Sequence, residues 1–139
     1  MKIILQSGDT FIVRFDPGEE LLAGIVAVCE REHIQAGTLS VIGAAGEVEL
    51  RFYDLETKQY QDCIYTEDLE ITGLMGNVAM LDGQPVVHMH GSFGRRDMST
   101  LSSHVKRCVI SVTGEAMITR LTGRMERQPV PGTSLNLLV

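Results

Sequence analysis

Only one stretch of this chain repeats its apolar residues at helical spacing; almost everywhere else the pattern alternates with a period of two. That imbalance limits the fold to a sheet-dominated domain carrying a single principal helix. The helical stretch is Leu21, Leu22, Ile25, Val28 and Cys29, which share one face at three- and four-residue steps. Asp16 is placed to cap it, with Pro17 at the first helical position and Glu19 three residues after the cap. Arg31 and His33 fall in the expected last turn, where positive charge suits the helix dipole. Gly37 ends the segment. His33 is thereby explained as a surface residue at a helix end.

On either side the chain reads as strands. Ile3-Ile4-Leu5 and Phe11-Ile12-Val13-Arg14-Phe15 flank the turn residues Ser7-Gly8-Asp9. Thr38 to Gly43 and Glu47 to Tyr53 read as two strands, the second with Val48, Leu50 and Phe52 on one face and Glu47, Glu49 and Arg51 on the other. Asp54 to Lys58 is a turn, Leu69 to Leu81 is strand interrupted by glycines, and Asp82-Gly83 is a hairpin signal. His104 to Val112 and Glu115 to Leu121 are expected as the last two strands, joined near Thr113-Gly114. About eight strands in the order strands, helix, strands indicate an α+β single domain of mainly antiparallel sheets over residues 1–139. The apolar tail from Leu135 to Val139 is expected to pack on the body or on a neighbouring subunit.

The chemistry concentrates in one place. Of the four histidines, His88, His90 and His104 fall close together. In the strand Pro85 to Phe93, alternation puts Val87, Met89 and Phe93 on one face and His88, His90 and Ser92 on the other. Two imidazoles about 7 Å apart at Cα can converge on one ion at about 2.0–2.1 Å per bond. His104 would arrive from the segment after the loop. The competing reading is two solvated polar residues opposite a core face. Three histidines and a small-residue loop favour a metal. A tri-imidazole site with an open fourth position suits Zn²⁺ first, and another divalent transition metal next.

Length and charge narrow the remaining classes. A chain of 139 residues, 44% hydrophobic and 22% charged, can bury a real core. No apolar run is long enough to span a bilayer, and the start lacks a signal-peptide pattern, so a cytoplasmic protein is expected. Cys29, Cys63 and Cys108 form no Cys-x-x-Cys pair and are expected to be reduced, mostly buried thiols. The net charge is −6, a poor start for binding phosphates. The basic clusters Arg95-Arg96, Lys106-Arg107 and Arg120, Arg124, Arg127 are not interleaved with aromatics and read as solvated loop or strand-end charges.

Several motifs in order carry a family resemblance. The helix start Glu19-Glu20-Leu21-Leu22 is followed by Ala36-Gly37-Thr38-Leu39-Ser40-Val41-Ile42-Gly43-Ala44. Then come Val48-Glu49-Leu50-Arg51-Phe52-Tyr53-Asp54, Gly73-Leu74-Met75-Gly76-Asn77, Val87-His88-Met89-His90-Gly91-Ser92-Phe93-Gly94-Arg95 and Ser103-His104-Val105. From Gly18 through Leu121 the chain resembles the PPC domain (plants and prokaryotes conserved). The resemblance implies a compact α+β domain assembling as a homotrimer. It also implies metal-binding histidines, at the matching positions His88, His90 and His104, and a fold similar to acetolactate decarboxylase. In plants the domain accompanies AT-hook segments and transcriptional control, and stand-alone prokaryotic members commonly carry a DNA-binding label. This chain has no Arg-Gly-Arg-Pro-type AT-hook. Where the family often has Gly-Gly-His, this chain has Ser102-Ser103-His104, which makes His104 the least certain ligand.

If the histidines hold Zn²⁺, it could lower the pKa of a bound water or polarise a carbonyl. Glu115 matches a glutamate position in the family and is the first acid/base candidate. Arg95, Arg96 and Asp97 follow the histidine strand and are candidates to line the mouth of the site, an arginine pairing a substrate carboxylate. Three functions follow: a small-molecule site with lyase or hydrolase activity, a DNA-binding regulator, or a structural or partner-binding module.

Overall fold

The computed structural model describes residues 1–139. Its elements are β1 (Lys2–Ser7), β2 (Thr10–Phe15), α1 (Leu21–Arg31), β3 (Gly37–Asp54), β4 (Gln59–Leu81), β5 (Gln84–Gly94), β6 (Thr100–Arg120), β7 (Arg127–Pro129) and β8 (Asn136–Leu138). Six strands form one antiparallel sheet in the order β1-β2-β6-β3-β4-β5. The first part of β6 also pairs with β5, which closes β6-β3-β4-β5 into a small barrel. α1 packs over β5 and β6. β7 and β8 make a separate hairpin from the C-terminal tail. No helix is long and apolar enough to cross a membrane.

Alternation explains the core. Val48, Leu50, Leu74, Val78, Met89, Phe93, Val105, Ile110 and Ile118 line the inside, joined by Leu21, Ile25, Val28 and Cys29 from the helix stripe. Each large side chain buried here contributes about 1.5–3 kcal/mol relative to exposure. Burial also pushes the thiols of Cys29 and Cys108 up to about 12. Cys63 departs from the expectation of burial and lies exposed.

The helix begins later than expected. Pro17 and Gly18 occupy the centre of a turn closed by the Glu19 N–H donating to the Asp16 carbonyl, with Gly18 at φ 84°. Proline followed by a positive-φ glycine is type II turn chemistry, which outcompetes a helical start. The cap is Glu20, whose carboxylate accepts from the N–H groups of Leu22 and Ala23. The same carboxylate accepts from the Cys108 N–H at 3.0 Å, tying the helix to β6.

Two pairs of expected strands are each a single long strand. β3 runs unbroken through Gly43 and Gly46, and β6 through Thr113-Gly114. The glycines mark shifts in register rather than chain reversals. At Gly43, φ is 143° and a Cβ would stand 2.1 Å from the Thr113 carbonyl, so only glycine lets the two strands cross this closely. Phe52, on the same face as Val48 and Leu50, is 70% exposed because the far end of β3 extends beyond the core. The Asp82-Gly83 turn is as read, with both residues at positive φ (50° and 80°).

Candidate metal centre

β5 places Val87, Met89 and Phe93 toward the core, with Met89 and Phe93 fully buried, and His88, His90 and Ser92 on the outer face. Gly91 interrupts the inner face. A Cβ there would stand 2.0 Å from Leu74 Cδ2 and 2.8 Å from the Gly73 carbonyl, so its absence lets β5 approach β4 beside the histidines. On β6, His104 pairs directly with His90, while Val105 pairs with Leu50 and turns inward. Barrel closure therefore brings the third histidine to the other two.

The three rings stand 4.9–5.1 Å apart between centroids. One ring nitrogen from each lies within 4.8 Å of the others. Around a tetrahedral zinc, donors at about 2.05 Å lie about 3.3 Å from one another. Small ring rotations close that gap, so the donor set fits a transition metal. The protonation state fits too. Burial, then the neighbouring imidazoles and the guanidinium groups of Arg51 and Arg127, push His104 down to about 4. Burial and the Arg127 charge also lower His88. Both rings are neutral at pH 7 and offer a lone pair.

Ser103, one of the two serines beside His104, has a structural task. Its hydroxyl donates to the Arg51 carbonyl at 2.6 Å, locking β6 against β3 next to the cluster. Tyr60 packs its ring 5.5 Å from His104, and Arg51 lies over Tyr60 while pairing bidentately with Asp62.

The other sequence candidates do not join the cluster within one chain. Glu115 pairs with Arg14 and Ile42 in the sheet register, on an exposed position of β6. It is not among the residues that converge on the histidine cluster. Arg95 pairs with Glu67 at 2.8 Å, and the Asp97 carboxylate accepts from the Ser99 N–H and hydroxyl. With Arg96, these residues line a separate shallow groove beyond the end of β5.

Sequence reasoning missed Arg127. Read there as a solvated charge, it is only 9% exposed. It reaches from β7 to the Asn136 carbonyl (2.9 Å), Asn77 Oδ1 (2.7 Å) and His88 Nδ1 (3.3 Å). Nothing local in the sequence signals this, since Asn77 and His88 are far away along the chain. The tail hairpin touches the body through Arg127, while Leu137, Leu138 and Val139 remain 47–73% exposed. With it, Arg127, Leu135 and Leu137 wall a cavity of about 250 Å³ that opens on His88 and His104.

The sequence model of the Plants and Prokaryotes Conserved (PCC) domain, the PPC domain of the resemblance, matches residues 4–122. The chain belongs to this family. A candidate DNA-binding protein from Bacteroides thetaiotaomicron is 31% identical, with 97% of this chain and 94% of that one covered at a TM-score of 0.93. A metal-containing protein from Archaeoglobus fulgidus is 32% identical, with 100% and 99% covered at 0.88. Alpha-acetolactate decarboxylase from Bacillus subtilis shares the fold at 12% identity and a TM-score of 0.58, with 87% of this chain and 56% of that one covered. No curated protein matches the chain. The PCC chain thus carries its three histidines on a fold shared with a decarboxylase, and fold alone does not transfer a reaction.

Proposed function

We propose that this PCC protein is a homotrimer in which His88, His90 and His104 hold a divalent transition metal, zinc first, and that a small molecule binds or reacts there. The observation that carries the reading is the convergence of three imidazoles, two of them held neutral, on one point of the outer face. The metal-containing Archaeoglobus relative supports it. A bound zinc supplies Lewis acidity and a coordination position open to a ligand oxygen. The chain orients His104 through Ser103 and Tyr60 and shields one side with the tail hairpin. No carboxylate joins the cluster in one chain. Glu115 would act there as acid or base only if a second copy brought it.

The trimer reading rests on an apolar row. Directly paired residues share a face, so His90, Met75, Ser40, Met117, Ile12 and Leu5 line up across all six strands. Met75 is 74% and Met117 53% exposed, an outer face that another copy would cover.

Elemental analysis of untagged, unchelated protein tests the metal. About one zinc or similar ion per chain is expected, with none in His88→Ala or His104→Ala. Protein that takes up no zinc when supplied would falsify the reading. Light scattering on the same sample tests for three chains per particle.

DNA binding is the second reading, favoured by the description of the Bacteroides relative. Against it, eight of the twelve basic side chains (Arg14, Arg31, Arg51, Arg95, Lys106, Arg107, Arg120 and Arg124) are paired with carboxylates. Duplex affinity that vanishes in moderate salt and ignores sequence would remove this reading.

A further inference from the structure

The cavity under the C-terminal hairpin contains a charge with no counter-charge. Arg127 is nine-tenths buried, yet its three hydrogen-bond partners are a carbonyl, an amide oxygen and an imidazole, all neutral. Its Nε has no partner at all. Arg51, on the same cavity wall, is already neutralised by Asp62. A buried cation persists where something negative offsets its lost hydration, and no carboxylate of this chain pairs with Arg127.

The rest of the cavity describes what would fit. Leu81, Val86, Leu135 and Leu137 give it apolar walls. Its volume of about 250 Å³ lies below the roughly 300–1,000 Å³ usual for drug-sized ligands. We infer that this cavity binds a small aliphatic carboxylate, with its charge on Arg127, its hydrocarbon part against the four apolar side chains, and its other end beside His88 and His104.

Metal binding and this site are linked through one contact. A guanidinium has no acceptor, so Arg127 can donate to His88 only while Nδ1 is bare. An ion on Nδ1 takes that lone pair. An ion on Nε2 leaves the proton on Nδ1, setting N–H against N–H. In both cases Arg127 leaves His88, and its freed N–H turns to the carboxylate. The position of the ligand's second end rests on the proposed metal reading. The need for an anion at Arg127 does not.

Isobutyrate and its neutral isostere isobutyramide test the inference, with binding to the full-length protein followed by ligand-observed NMR and calorimetry and zinc counted in each sample. Isobutyrate is expected to bind at least about tenfold more tightly than isobutyramide, the margin of a charge-assisted hydrogen bond. Arg127→Gln should erase that margin while retaining zinc, and Arg127→Lys should keep part of it. Because Arg127 also holds the hairpin, Leu137→Trp provides an independent variant. It narrows the cavity from its half-exposed rim and should weaken isobutyrate with the charge intact. Equal binding of the two probes, no binding to zinc-loaded protein, or unchanged affinity in both Arg127→Gln and Leu137→Trp overturns the inference. Isobutyrate held by Arg127 in protein that takes up no zinc overturns the metal reading and upholds this one.

Discussion

The two sides of the histidine cluster are finished differently. On the His88 side, the neighbouring row is polar, running through Asn77, Thr38, Thr119 and Thr10, and the tail hairpin covers it with Arg127 and a leucine-lined cavity. On the His90 side, the ring is exposed and the row continues through Met75 and Met117 to open solvent. Neighbouring registers of one sheet thus receive opposite treatments. The chain closes one wall of its site with its own tail, and the proposed trimer would cover the other, apolar wall with a second copy.

The contrast can be broken first on the open side. Met75→Asp with Met117→Asp puts two charges on the apolar row, and sedimentation should show the proposed trimer reduced to monomers. On the closed side, Arg127→Gln removes a cation that competes for His88. Zinc affinity, measured by chelator competition, should rise by about tenfold.

A smaller effect follows from pH. Free histidine titrates near 6.5, whereas folding holds His104 down to about 4 and lowers His88. Below pH 6.5 the unfolded chain therefore takes up protons that the folded chain refuses. Metal-free protein should lose stability as the pH falls from 6.5 toward 4, read as a falling urea midpoint, and be insensitive to these groups above 6.5. Smallest is Ser103→Gly, which removes one hydroxyl bond to the Arg51 carbonyl. About 1 kcal/mol of stability should go with it in a denaturant titration.

What could be read in advance divides along the same line. The faces of β5, the Asp82-Gly83 hairpin and the apolar stripe of α1 follow from periodicity and turn chemistry, which are local. So does the convergence of His88 and His90. The closing of the barrel, which pairs His104 with His90, is a long-range event that strand alternation does not encode. Glycine misled in both long strands, because a residue that permits a turn also permits the close crossing at Gly43. The helix start misled because Pro17-Gly18 makes a type II turn instead of a first helical turn. The Glu20 cap is further held by the Cys108 N–H on β6, which no local pattern shows. Arg127 was hidden for the same reason: its partners come from β4, β5 and β8.

β6 is also the last strand of the main sheet to be made, and almost everything waits for it. Phe11, Val13 and Phe15 on β2 have their β6 partners at Ile118, Ala116 and Gly114. At about 5–20 residues per second, the first hairpin leaves the ribosome roughly 5–20 s before the strand it must join. Its aromatic face spends that interval uncovered, whereas β3, β4 and β5 can zip together as successive hairpins. The newborn chain is therefore most vulnerable to aggregation at its N-terminal end, and a chaperone that holds the first fifteen residues would do most to raise its yield.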